Sequence, residues 1–434
     1  MKFFKKAVLT MATVATVTLG TSGASFAASD VNARIEALEA ALKELRAEVS
    51  VRDAKIEAME AKTAELDTLP KFNPEKLEME SRDGQFAMGI AGRIQVDAYA
   101  IDDDKSALNP MGNGMELRRI RLGAYGKVFG DFKYKLDVEY AGDKVAVKDA
   151  YVETELSKGL GLKVGHFKEY YGIDNLTSDN YVSFMERAVS SIYWPDQNMG
   201  AGLAYTDGKL WGVQGGFWTP GVANGGAGES SDWSVTGRAY VAPKIGDTVV
   251  HMGLNGSYRG FESSATTKFE QRPESHGAEK ILRTGNITMP ASEVRFGPEI
   301  AAIFGPVTLQ AQYDWSEIDR GNGLPSISTE GGYAEASWFV TGENRNYSVK
   351  SGAFGRTKAT NAIQLAARFS HLDLADSDLT DARRGTQNDI TLGVNYYFNP
   401  KVRLMLNYVR ADVDYTASPD ETYNIVQSRL QLDW

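Results

Sequence analysis

In Asp131–Tyr140, "DFKYKLDVEY", polarity switches at every residue after the first. Successive side chains of an extended strand point to opposite faces. Phe132, Tyr134, Leu136, Val138 and Tyr140 therefore share one face, and Lys133, Lys135, Asp137 and Glu139 share the other. One face is wholly apolar and the other wholly charged. The alternation returns from Gly84 onward. Phe86, Met88, Ile90, Ile94 and Val96 oppose Arg93, Gln95 and Asp97, and Ile120, Leu122 and Ala124 oppose Arg119 and Arg121. Val307, Leu309, Ala311, Tyr313 and Trp315 oppose Thr308, Gln310, Gln312 and Asp314. In "VQSRLQLDW", Val426, Leu430, Leu432 and Trp434 oppose Gln427, Arg429, Gln431 and Asp433. Ten residues at ~3.3 Å each, tilted ~45°, rise roughly 23 Å, enough to cross a hydrocarbon core.

The connections alternate as well. Short turns rich in Gly, Asp, Asn and Pro fall at 129–131, 157–159, 206–209, 304–306 and 398–401. Long polar stretches fall between them, at 101–114, 168–198, 219–231, 259–292, 318–329 and 375–387. Short turns at one end and long loops at the other, with an even strand number, are the plan of an outer-membrane β-barrel. Counting by parity predicts a 16-stranded antiparallel transmembrane barrel over 84–434, all-β, provided 342–360 is one longer periplasmic connection. Reading that segment as a strand boundary instead gives eighteen.

Residues 1–69 follow other periods. "MKFFKKAVLTMATVATVTLGTSGASFA" has three lysines, an apolar run from Ala7 to Leu19, and small residues at 25 and 27, the pattern of a secretory signal peptide over 1–27. A retained anchor helix is the alternative. From Ile35 through Leu38, Leu42, Leu45, Val49, Arg52, Ile56, Met59 and Thr63 to Leu66 the steps are 3, 4, 3, 4, a heptad seam broken at Arg52 and Thr63. It predicts a periplasmic coiled coil over 28–69, roughly 55 Å long at ~1.5 Å per residue, followed by a linker over 70–83. A lone helix lying on its own domain is the other reading of the same stretch.

Composition narrows the class. There is no cysteine, so disulfides stabilise nothing. Twenty Tyr, 18 Phe, 7 Trp and 43 Gly accompany a mean hydropathy of −0.33, which suits a barrel. Beyond the signal no run of 18 apolar residues occurs, which excludes a bundle of membrane helices. The net charge is −10, and residues 70–434 hold 38 basic and 47 acidic residues, a balance of −9. His166, His251, His276 and His371 sit in no motif with a candidate nucleophile, and no metal spacing or phosphate-cradling glycine loop appears. The sequence predicts no enzyme, no cofactor or metal and no nucleic-acid partner.

Four motifs carry a resemblance. "ELRRIRLGAYGKVFGDFKYKLDVEYA" (116–141), "GHFKEYYGIDNLTSDNYVSFMER" (165–187), "WFVTGENRNY" (338–347) and "ITLGVNYYFNPKVRLMLNYVRADV" (390–413) resemble the phosphate-selective porin O and P family. The resemblance implies a homotrimeric, 16-stranded porin in the outer membrane of a Gram-negative bacterium. Its long third loop, 168–198 here, folds inward to narrow the pore. It also implies an anion path of lumen-wall arginines, since guanidinium forks suit oxyanions. Arg93, Arg118, Arg119 and Lys133 match that path, with Arg272 and Arg368 as further candidates. The constriction loop would present Asn175, Asn180, Glu186 and Arg187. Asn175 and Asn180 stand where phosphate-specific members carry lysines. For each arginine the alternative is a wall residue paired with Asp or Glu across strands.

The expectation is a water-filled channel for passive diffusion of small hydrophilic solutes and ions with a weak anion preference. Its partners would be outer-membrane lipids, small ions or anionic solutes, and two further copies of the chain. The alternatives are a phosphate- or polyphosphate-specific channel and a barrel-anchored tether reaching the cell wall through the coiled coil.

Overall fold

The computed structural model describes residues 28–66, 69–103, 111–142, 145–220, 232–262 and 265–434. The expected signal peptide, 1–27, lies outside them, as do parts of the long loops predicted at 101–114, 219–231 and 259–292. The chain divides into two compact units, Met1–Leu69 and Pro70–Trp434.

In the first unit one unbroken helix, α1, spans Ala28–Leu66. Pro70 follows it closely, as expected where a helix stops. The seam residues Ile35, Leu38, Leu42, Leu45, Val49, Ile56 and Met59 are all exposed in the single chain.

The second unit is a closed barrel of sixteen long strands. They are β1 Ala87–Asp103, β2 Gly114–Val128, β3 Phe132–Glu139 and β4 Ala146–Ser157. β5 Leu160–Lys168, β6 Gln197–Thr206, β7 Trp211–Thr219 and β8 Trp233–Val241 follow. Then come β9 Thr248–Gly260, β10 Pro290–Phe304, β11 Val307–Arg320 and β12 Ile327–Phe339. β13 Ala362–Asp373, β14 Gly385–Asn399, β15 Val402–Tyr415 and β16 Glu421–Asp433 complete the wall. Each strand pairs antiparallel with its successor, and β16 returns to β1 from Asp433↔Arg93 to Tyr423↔Asp103. Closure leaves no sheet edge to satisfy. Below Arg93 the place of β16 is taken by a hairpin, Lys71–Asn73 with Glu78–Glu80, whose second arm pairs Glu78↔Gly89. The predicted linker thus carries structure of its own.

The alternation behaves as its chemistry requires. On β11, Leu309 and Trp315 are exposed on the outer surface, while Thr308, Gln310, Gln312 and Asp314 are buried inside. On β3, Phe132 and Leu136 face out, whereas Asp137 and Glu139 are buried and Lys135 Nζ reaches Asp149 at 2.5 Å. Tight turns close the strand pairs at one end. At Gly159 the backbone has φ +81°, and a Cβ would lie 2.3 Å from the Thr206 carbonyl oxygen, so the turn admits glycine alone.

Residues 340–361 form one connection at this short-turn end, which fixes the count at sixteen. The segment carries its own small hairpin, Asn346–Ser348 with Ala353–Gly355, and turns into the barrel. Arg238 Nη2 donates to the Gly352 carbonyl at 2.7 Å, and the Tyr240 hydroxyl to that of Val349 at 2.7 Å. The third outer loop (L3, 169–196) and the fifth (L5, 261–289) enter from the other end. Tyr171, Val189, Tyr193 and Trp194 of L3 join Phe269, Ile281 and Leu282 of L5 in one cluster. Ile318, Leu372, Val409 and Ile425 of the wall complete it. The main apolar core therefore lies inside the barrel, where L3 and L5 pack against the wall.

Candidate functional site

L3 crosses the lumen, and its buried backbone polar groups need partners there. The far wall, β9 to β16, supplies them. Asn255 Oδ1 accepts from Gly172 N at 2.9 Å and Glu299 Oε2 from Ile173 N at 2.6 Å, satisfying orphan donors at the short helix α2, Ile173–Leu176. Asn407 Oδ1 accepts from Met185 N, Asn395 Nδ2 donates to the Ser183 carbonyl, and Arg403 Nη1 to that of Val182, each at 2.8 Å. The Asp314 carboxylate binds both ends of the loop, accepting from the Tyr171 hydroxyl at 2.8 Å and from Trp194 Nε1 at 2.9 Å.

The near wall meets L3 through charge. Between β1 and β2 the register jumps from Gln95↔Arg119 to Val96↔Leu117, leaving Arg118 as an extra residue. This bulge turns Arg118 inward beside Arg119, although strict alternation would place it outside with Ile120 and Leu122. Arg118 then holds Glu186 of L3 in a two-pronged pair, Nε–Oε1 2.8 Å and Nη2–Oε2 2.9 Å. Glu186 Oε1 also takes Arg429 Nη2 of β16 at 2.7 Å.

The second acid, Asp179, stands among four arginines. Its Oδ2 lies 3.4 Å from Arg93 Nη1, 3.4 Å from Arg119 Nε and 3.7 Å from Arg121 Nη2, and its Oδ1 lies 2.7 Å from Arg187 Nη2. Burial raises the Asp179 carboxyl, but Arg119, Arg187, Lys168 and Arg121 outweigh it and hold the group well below the usual carboxylate range. Burial likewise opposes ionisation of Glu186, and Arg118, Arg429 and Arg119 overcome it. Both acids are carboxylates at neutral pH.

Above this contact lies a cavity of about 440 Å³ between L3 and β2–β5. Its charged lining is Arg118, Arg119, Arg121, Lys148, Lys168 and Arg187 against Glu116, Glu139, Asp179 and Asp196, with His276 at the L5 side. Six cations face four carboxylates, the reverse of the balance of the barrel as a whole.

The structure separates the residues singled out from sequence. It brings Arg93, Arg118, Arg119, Glu186 and Arg187 together at the contact between L3 and the near wall. Lys133 sits near the short-turn end of β3, exposed, opposite Lys127 and Glu153. Arg272 braces its own loop, donating to the carbonyls of His276, at 2.7 Å, and Ala278. Arg368 is buried on β13, where it pairs with Glu274 and donates to the Glu186 carbonyl at 3.0 Å. Asn175 turns its amide to the Pro195 carbonyl at 2.9 Å. Asn180 has its side-chain oxygen buried, with no hydrogen-bond partner among the described residues.

Sequence reading did not single out Arg121, Lys148, Lys168 and Asp179. Arg121 shares the parity of Arg119, and Lys168 and Asp179 stand inside the second quoted motif, so a signal existed for those three. Lys148 enters the lumen wall at a break in the β3–β4 register, between Asp137↔Asp149 and Val138↔Val147, which no alternation rule announces.

The phosphate-selective porin O and P family matches residues 88–434. An uncharacterized protein of Caulobacter vibrioides is 30% identical over 379 residues, covering 81% of this chain and 75% of that protein. Porin O of Pseudomonas aeruginosa is 24% identical over 383 residues, 78% of this chain and 86% of that one. Among solved structures, the anion-selective porin from Comamonas acidovorans superposes with a TM-score of 0.51 at 13% identity, covering 80% and 100% of the two chains. The trimer form of OmpT from Vibrio cholerae gives 0.52 at 14% identity, covering 80% and 99%. These likenesses show the fold. With the family match spanning the closed barrel, the inward loop and the arginine wall, the chain belongs to the phosphate-selective porin O and P family and is an outer-membrane channel protein.

Proposed function

We propose that this porin passes small hydrophilic solutes and ions with a weak preference for anions. The excess of cations in the vestibule carries the reading: local field governs permeation, so a basic throat can sit in an acidic barrel. The anion-selective Comamonas porin with the same fold is consistent with it. A phosphate-specific channel is less well supported, because Asn175 and Asn180 offer no charge to the path and the wall arginines face Asp179 and Glu186. Reversal potentials in asymmetric KCl across a planar bilayer test the reading. A modest chloride preference is expected, and a cation-preferring channel would sink it.

The channel works as a homotrimer, and α1 is the periplasmic seam that joins three copies. The exposed heptad residues support self-association, though β-branched residues with Leu in the seam lean towards two strands, and the number three is supported by the trimer form of the neighbouring OmpT. Deleting 30–69 should leave a conducting barrel, because strand closure satisfies the backbone without the helix. Loss of barrel assembly in that deletion would make α1 part of the fold.

A further inference from the structure

Asp179 is poorly fitted to the place it occupies. Three of its four contacts, to Arg93, Arg119 and Arg121, are 3.4–3.7 Å long, whereas charge-assisted bonds of this kind settle at about 2.7–2.9 Å. Its firm bond is to Arg187 of its own loop, at 2.7 Å. Arg121 and Arg187 have other acids, Glu139 at 2.7 Å and Asp174 at 2.8 Å. Among the described residues, however, Asp179 is the one carboxylate in ion-pair reach of Arg93 or Arg119. Lys168 adds a fifth cation beside it, its amine spent on the Asn175 carbonyl at 2.7 Å.

Nor does L3 depend on Asp179 for its position. Asp314 binds both ends of the loop, Glu299 and Asn255 hold α2, Asn407 holds Met185, and Glu186 is gripped by Arg118 and Arg429. A carboxylate that contributes little to anchoring and fills its cationic surroundings loosely has the character of a stand-in ligand.

We infer that Asp179 is a tethered occupant of an oxyanion site formed by Arg93, Arg119, Arg121 and Arg187, and that it keeps free oxyanions from lodging in the permeation path. Planar guanidinium forks converging on one point match the several acceptor oxygens of phosphate, sulfate or a carboxylate better than they match chloride. With the tethered carboxylate in place, an anion entering from the vestibule meets cations already partly neutralised and moves on. Without it the same cations form a trap. The inference rests on the anion-path reading, and it places the residue that sets selectivity against oxyanions at Asp179.

Bilayer recording on the full-length protein tests it, with KCl as carrier and inorganic phosphate as the probe. In Asp179→Asn, half-block is expected at phosphate concentrations lower than in the wild type by about tenfold or more. Asp196→Asn removes the same charge from the vestibule rim, where Asp196 is 69% exposed and 3.7 Å from Lys148 Nζ. That variant should shift the reversal potential without producing the block. Asp179→Ser, which also removes the charge, is the second variant should Asp179→Asn assemble poorly. Equal phosphate sensitivity in Asp179→Asn and Asp196→Asn overturns the inference, since it reduces the effect to overall charge. Failure of both Asp179 variants to form channels overturns it too, because Asp179 is then an anchor. The wild-type reversal potential separately decides the anion-path reading.

Discussion

The two walls of this barrel carry the same kind of side chain in two conditions. Arg118, Arg119 and Arg121 on β2 line the vestibule, Arg93 on β1 joins them at Asp179, and all four face the acids of L3 at contacts from 2.8 to 3.7 Å. Arg238, Arg368, Arg403 and Arg429 on β8–β16 are almost wholly buried, and each donates to backbone carbonyls of a segment folded into the lumen. All eight point inward, seven by parity and Arg118 through its bulge. The difference is what meets them. A loop buried inside a barrel must find partners for its backbone, and long donors on the wall provide them. Inward orientation is thus a weaker statement than access to the permeant ion.

The most direct way to break this comparison is to remove one arginine from each wall. Arg368→Met leaves Glu274 buried without its cation, and losing one partner of a buried pair costs about 3–5 kcal/mol. Heat-modified migration on gels should shift to lower temperature, while the reversal potential stays where it was. Arg119→Met should do the opposite, moving the reversal potential towards cations with a smaller loss of stability. A selectivity change in Arg368→Met would mean that the far wall also meets the ion.

A smaller effect is expected at Asp314. Substitution by alanine removes the acceptor of the Tyr171 hydroxyl and of Trp194 Nε1, besides that of the neighbouring Gln312 Nε2, and the two loop donors left unsatisfied together cost about 2–4 kcal/mol. Because these residues are the two ends of L3, the loop should loosen as a unit and single-channel conductance should rise. Asp314→Asn keeps one acceptor and should fall between. Unchanged conductance in Asp314→Ala would show that the remaining contacts alone hold the constriction.

Glu186 joins the walls, since it takes Arg118 from β2 and Arg429 from β16. Its carboxyl is held well below the ordinary range despite burial, so the stabilisation is present above the unfolded value of about 4.3 and is lost as pH falls through the lower folded value. Glu186→Gln should therefore cost about 2–3 kcal/mol between pH 8 and 5. That cost should shrink towards zero in strong acid, where the wild-type side chain is protonated as well. Denaturant melts at several pH values measure it, and a cost that stays constant to pH 2 would exclude the charge as its origin.

Much of the wall was legible in the sequence because a barrel strand declares itself locally. Val307–Trp315 alternates residue by residue, and each of those side chains faces as its polarity requires. The count of sixteen depended on one segment, 342–360, and turn parity resolved it. Two things escaped local reading. The inward turn of Arg118 comes from a shift in hydrogen-bond register, a property of two strands together. The packing of L3, L5 and 340–361 against the far wall joins residues separated by hundreds of positions, as when Arg429 meets Glu186. Alternation says which side chains enter the lumen; only the loops decide which of them stay wet.

The smallest effect is expected at the two asparagines of L3. Read by resemblance, Asn175 and Asn180 mark missing lysines, so Asn175→Lys with Asn180→Lys ought to supply charge to the path. The geometry opposes this. Asn175 is buried, its amide donates to the Pro195 carbonyl, and its own carbonyl accepts from Lys168. A lysine there would have to place its ammonium beside Lys168 or leave the loop interior, and buried cations without partners are costly. Asn180 is half-buried, and its backbone carbonyl accepts from Gln431 Nε2 at 3.3 Å, which points that part of L3 towards β16 and away from the vestibule. The double substitution should therefore lower stability modestly and move phosphate half-block by less than about twofold, against the tenfold expected at Asp179. Phosphate titration of both variants in the same KCl carrier makes the comparison. A larger shift from the lysines than from Asp179→Asn would mean that L3 repacks to bring new charge into the path, and that phosphate selectivity depends on the loop more than on the wall.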